Sequence, residues 1–202
     1  MTHKLYYISI IILIAFFLNG CSQQKTVTRI DPSTNTDLSG VWNDTDSRLV
    51  ANEMIDNILS ERWLSDYKEA KKKNPTVIVG NIRNRSSEHI QTITFIKDLE
   101  KALINSGKVD FVANKEEREE VRDERQDQQD NASDETLKKF RQETGADFLL
   151  RGDITTITDQ EGGEKVTFYQ VNLELINIET NKKVWIGDKK IKKFISRSGT
   201  KF

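Results

Sequence analysis

With 202 residues, a formal net charge of -1 and 31% charged residues, the chain lacks the overall basic field that a nucleic-acid binder needs, which excludes nucleic acid as a partner. One cysteine, Cys21, excludes an intramolecular disulfide, and of two histidines His3 lies in the leader expected to be cleaved, so His89 alone is left and neither a two-histidine zinc site nor a Cys/His catalytic pair is expected. No phosphate-cradling glycine loop is present, since Gly162-Gly163 lies between two strand patterns and reads as a turn.

Taken in order, Met1-Thr2-His3-Lys4 is followed by an apolar run, Leu5 to Leu18, broken only by Ser9. At about 1.5 Å per residue that run makes roughly 21 Å of helix, short of the ~30 Å hydrocarbon core, so it predicts a secretory signal and not a spanning helix. The run ends in Leu18-Asn19-Gly20-Cys21, which resembles a bacterial lipobox. Residues 1–20 are therefore expected to be a lipoprotein signal peptide, and the Cys21 thiol to take the lipid, palmitate among its chains. Ser22 and not Asp follows the cysteine, which predicts the outer membrane, facing the periplasm.

Residues 21–40 are rich in Gln, Thr, Ser, Asn and Asp and predict a lipidated, disordered tether, leaving residues 41–202 as a single globular domain. In that domain Ala51, Ile55, Ile58 and Leu59 follow helical spacing toward Trp63-Leu64, with Asp46 or Ser47 as N-cap and Trp42 and Trp63 packed on the core. Thr76 to Ile82 reads as a buried strand. Ser86 or Ser87 then caps a helix carrying Ile90, Ile93, Ile96, Leu99 and Leu103, ending at Ser106-Gly107, and Val109 to Ala113 makes a second strand, parallel to the first.

Lys115 to Asp130 holds eight acids, four bases and one aliphatic residue, Val121, and predicts a solvated helix. Ser133 is expected to cap a short helix with Leu137 and Phe140 on its apolar side and Gly145 at its end. The last third changes to strand periodicity: Ala146 to Ile157, Val166 to Ile178, and Val184 through Phe194 form an antiparallel meander. Because Val166 and Phe168 are out of phase with Val171, Leu173 and Leu175, a bulge is expected near Tyr169-Gln170. Lys182 to Lys201 carries eight bases and one acid, Asp188, which fits either a lysine-protected edge strand or a docking surface for an acidic partner. The fold class is thus α/β (α+β): a mixed sheet of about five strands, parallel first and antiparallel at the C-terminal end, with helices on both faces.

Several stretches resemble one family in order and spacing: Gly40-Val41-Trp42-Asn43-Asp44-Thr45-Asp46-Ser47-Arg48, Asn84-Arg85-Ser86-Ser87-Glu88-His89-Ile90, Ser106-Gly107-Lys108, Thr144-Gly145-Ala146-Asp147 and Glu179-Thr180-Asn181-Lys182-Lys183-Val184-Trp185. Together with the lipobox they are similar to LpoB-type penicillin-binding-protein activator lipoproteins. The resemblance implies a fold related to the amino-terminal domain of TolB. It also implies an outer-membrane lipoprotein, monomeric and without cofactor or enzymatic activity, that binds and allosterically activates a bifunctional peptidoglycan synthase in cell-wall synthesis. Candidate partner contacts are Asn131, Ser133, Asp134 and Lys138 in the link after the charged helix, and Lys189, Lys190 and Lys192 in the basic strand. His89 and its Asn84-Arg85 neighbours are expected to satisfy backbone polar atoms at a helix start. Two other readings compete: a structural or secretion-system-associated lipoprotein of the envelope, and a hydrolase using a serine with His89.

Overall fold

The structure, a computed structural model, describes residues 25–139 and 142–196. The signal peptide, Cys21, Phe140, Arg197 and Lys201 therefore lie outside the described residues. Two units are distinguished, Met1–Thr34 and Asn35–Phe202. The described part of the first is extended, with one turn in which the Asp31 carboxylate accepts from the Ser33 N–H and hydroxyl, both at 2.7 Å.

In the second unit, α1 (Asp44–Ser60) begins at Asn43. The Asn43 side chain accepts from the Asp46 N–H while the Asp46 carboxylate accepts from the Asn43 N–H, a reciprocal box that satisfies two otherwise unpaired donors. Asp46 is thus the third residue of the helix and not its cap, which corrects the expected start. Val50, Ala51, Met54, Ile55, Ile58 and Leu59 form its buried stripe. The helix expected to run through Trp63 breaks at Glu61, whose backbone is extended, and α2 (Arg62–Lys71) starts afresh. The Trp63 indole N–H donates to the Ile58 carbonyl at 2.6 Å, joining the Glu61 N–H on that acceptor at the end of α1.

Strand β1 (Thr76–Asn84) buries Val77, Val79 and Ile82, the change of parity falling where its register with β3 (Phe148–Glu161) shifts. Helix α3 (Thr92–Asn105) buries Phe95, Leu99 and Leu103 at four-residue spacing, each apolar side chain contributing roughly 1.5–3 kcal/mol. Ser86 and Ser87 do not cap it. Asn84 folds the preceding loop instead, its side-chain Oδ1 accepting from the Ser86 N–H and hydroxyl, and Ile93 faces solvent where Phe95 takes the core. Strand β2 (Asp110–Phe111) pairs parallel with β1. Helix α4 (Lys115–Asn131), capped by an Asn114/Glu117 box, buries none of its residues, as its composition predicts.

The helix expected after Ser133 reduces to one turn, closed by the Thr136 and Leu137 N–H groups on the Ser133 carbonyl. Its sole described apolar anchor, Leu137, is half-buried, too little to hold a short helix. Beyond the link, β3, β4 (Glu164–Asn177) and β5 (Lys183–Ser196) form the antiparallel meander, and the full order is β2-β1-β3-β4-β5. Gly162 and Gly163, with φ of 55° and 88°, make the two-residue β3–β4 turn that needs positive φ at both positions.

No bulge occurs at Tyr169-Gln170. The β3–β4 register is unbroken, and β4 shifts against β5 only between Leu175 and Ile176. Thr167, Tyr169, Val171, Leu173 and Leu175 all face the core, and Val166 and Phe168 belong to the other face. Tyr169 was the missed core residue: its ring is fully buried because its hydroxyl finds a partner.

Candidate functional site

The link residues fold back along α4. Asn131, at the helix end, donates from its side chain to the Asp127 carbonyl and carboxylate at 3.3 and 3.0 Å. The Ser133 hydroxyl meets the Thr136 hydroxyl at 3.0 Å, Asp134 lies exposed in the turn, and the Lys138 carbonyl accepts from the Gln129 side chain at 3.2 Å. Farther on, Glu143 accepts from Arg122 at 2.8 and 2.9 Å and from Arg125 at 3.0 Å. These arginines hold the Glu143 carboxyl below the usual carboxylate range. Asn131, Ser133, Asp134 and Lys138 thus share one solvated ridge.

The three candidate lysines do not share a face. Lys189 is paired across from Val171 on the helix-covered face, where its ammonium meets the Glu53 carboxylate at 2.5 Å. Lys190 and Lys192, across from Gln170 and Phe168, point to the opposite face. That face also carries Arg151, ion-paired with Glu174 at 3.1 Å, and Lys183 on the same carboxylate. Strand β5 is the edge of the sheet, as the lysine pattern anticipates.

A buried polar cluster that sequence reasoning missed fastens residues 35–43. The Lys193 ammonium contacts Asp37 and Asp46, each at 2.6 Å, and the Val41 carbonyl at 3.1 Å. Burial alone would lower its pKa, but the two carboxylates outweigh that and raise it. Nearby, the Tyr169 hydroxyl lies 2.8 Å from both oxygens of Glu88, which also accepts from the Trp42 N–H at 3.1 Å. Burial, then the Glu88 carboxylate, push the Tyr169 pKa up. Trp42 stacks edge-on against Phe95, centroids 6.2 Å apart, and tilted against Tyr169 at 5.7 Å. Gly40, at φ 70°, lies so close to Ile195 that a Cβ there would stand 2.3 Å from its side chain. Asn35 and Thr36 join through Arg48 and Asn43, so residues 35–40 belong to the globular unit and not to a free tether. Lysine 193 was legible only as one more base in the basic strand.

Among the loop residues, Asn84 donates to the Glu88 carbonyl at 2.7 Å and Arg85 lies 3.7 Å from Asp153. The exposed His89 ring meets only the Gln91 side chain, at 2.9 Å, so the backbone-satisfying part expected of it falls to Asn84 and Glu88. Among the described residues, no three His, Cys, Asp or Glu gather as a metal site, and no helix is long and apolar enough to cross a membrane.

Residues 46–191 match the family model described as peptidoglycan-synthase activator LpoB, a span that runs from the third residue of α1 through most of β5. The chain belongs to the LpoB family. This is a family of activators, and envelope lipoproteins are its setting. No curated protein matches the sequence. Solved LpoB structures are similar: the C-terminal domain from Escherichia coli at 16% identity and a TM-score of 0.41, over 75% of this chain and 99% of that one. The corresponding domain from Salmonella enterica gives 15% and 0.39, over 72% of this chain and 98% of that one.

Proposed function

We propose that this chain is an outer-membrane lipoprotein, cleaved after residue 20 and acylated at Cys21, that binds a bifunctional peptidoglycan synthase and activates it allosterically. The observation that carries this reading is the match of residues 46–191 to the activator family. Chemistry on the activator is unnecessary: it shifts the synthase only as far as it prefers the active conformation, typically 1–3 kcal/mol or about 5–150-fold. The ridge of Asn131, Ser133, Asp134 and Lys138 and the lysines of β5 are the contacts proposed from sequence.

Membrane attachment sets the geometry of that contact. With Asn35 onward held in the globular unit, residues 22–34 are the available spacer, and at about 3.3–3.6 Å per residue they span roughly 45 Å at most. Crosslinking the lipidated protein in intact cells and identifying what co-purifies tests the reading: a bifunctional penicillin-binding protein is the expected product. A product set containing secretion components and no synthase would favour the structural role instead.

A further inference from the structure

The open face of the sheet, opposite α1 and α3, separates its charge, with Asp159, Glu161 and Glu164 at the β3–β4 hairpin tip and the bases away from it. Away from the hairpin tip it presents Arg83, Arg85, Arg151, Lys183, Lys190 and Lys192. Against these stand three carboxylates: Asp153, 3.7 Å from Arg85; Glu174, shared by Arg151 and Lys183; and Asp188, 3.1 Å from Lys190. Arg83 makes no ion pair among the described residues. It borders a cleft of about 110 Å³ with Arg85 and Arg151, their carboxylate partners Asp153 and Glu174, and Ile186, which is 66% exposed. That volume is well below the roughly 300–1,000 Å³ of small-molecule sites and suits one inserted side chain.

We infer that this face, centred on Arg83 and Arg151, is where the protein partner docks, and that the partner presents Asp or Glu carboxylates beside an apolar side chain. This rests on the reading of the chain as a synthase activator. Guanidinium forks match carboxylates in two-point geometry, and arginine with a central apolar contact is the usual composition of an interface hot spot. An anionic membrane is a poorer fit, because Asp159, Glu161 and Glu164 lie at the β3–β4 hairpin tip, whose charge such a surface would repel. Of the seven residues proposed from sequence, Lys190 and Lys192 fall on this face and the α4 link does not.

The test uses the full-length lipidated chain in detergent, immobilised, with the organism's purified bifunctional synthase as analyte. Arg83→Glu should weaken binding by about tenfold or more and flatten its salt dependence, and Arg83→Gln should fall between it and the wild type. Lys71→Glu, exposed at the end of α2, should leave the Kd unchanged. Because Arg83 is exposed and unpaired, both Arg83 variants should melt with the wild type, so a loss reports binding. Binding that survives Arg83→Glu, or that Lys71→Glu weakens as much, overturns this docking face while leaving the activator reading intact. Failure of the wild type itself to bind overturns the activator reading, and this inference with it. Phosphatidylglycerol vesicles without detergent, offered to the mature chain carrying Cys21→Ser so that no acyl chain anchors it, form the second arm: loss of vesicle binding in Arg83→Glu with synthase binding intact would make the face a lipid surface and overturn the proposal.

Discussion

Two irregular, charge-rich segments are held to the same unit by ion pairs, residues 35–43 against β4 and β5 and the described residues 132–139 and 142–143 along α4. In the first, the side chains of Lys193 and Asp46 are 10% and 7% exposed and the Tyr169 ring is fully buried. In the second, Arg122 and Glu143 are 47% and 29% exposed, and α4 itself buries nothing. The geometry of the pairs is similar, with contacts of 2.6–3.0 Å in both. Depth decides their worth: water already screens the second set, whereas breaking the first strands charge in a poorly solvated place. The leading segment is therefore part of the fold, and the link is a surface ornament free to serve contact.

The sharpest way to break this contrast is Lys193→Met, which leaves Asp46 and Asp37 without their cation. With Asp37 half-exposed the cost should sit at the low end for a buried pair, about 3 kcal/mol, or roughly 9 °C in thermal midpoint. Tyr169→Phe removes one donor from Glu88 but leaves the Trp42 N–H, and should cost about 1.5 kcal/mol in a denaturant titration. Both variants should speed amide exchange at residues 41–43.

Acid separates the regions less cleanly. Lys193 holds the Asp37 carboxyl below the usual range; at Asp147 burial opposes ionisation, but the Thr76 N–H, Tyr67 and Lys73 outweigh it and lower the pKa. Carboxyls lowered in the folded state give stability that is complete above their unfolded value near 4 and is lost as pH falls through the folded one. Stability measured by chemical denaturation should thus decline below about pH 4, and less steeply in Asp147→Asn. Smallest of all is Glu143→Gln, expected to leave the thermal midpoint unchanged while speeding exchange at residues 133–137. A midpoint drop matching that of Lys193→Met would collapse the distinction between the two segments.

The sheet was largely legible because alternation in Val171, Leu173 and Leu175 and the Gly162-Gly163 turn leave little choice of register. Helix starts were not, since Asn43 and Gln91 begin their helices through contacts made three residues on or through none, while Asp46 and Ser86 look equally suitable in sequence. The Tyr169 error has the same root: a tyrosine is buried only if something accepts its hydrogen, and Glu88 is 81 residues away. Lys189 separates from Lys190 and Lys192 for a simpler reason, the two-residue period of a strand, which composition hides.

The claim on which the rest depends is that this chain activates a synthase, and the rate of glycan polymerisation measures it directly. Adding the lipidated protein to the organism's purified bifunctional synthase should raise the polymerisation rate to a plateau, with half-saturation near the Kd of the pair. No change in rate at saturating concentration, with every bifunctional synthase the organism makes, would contradict it.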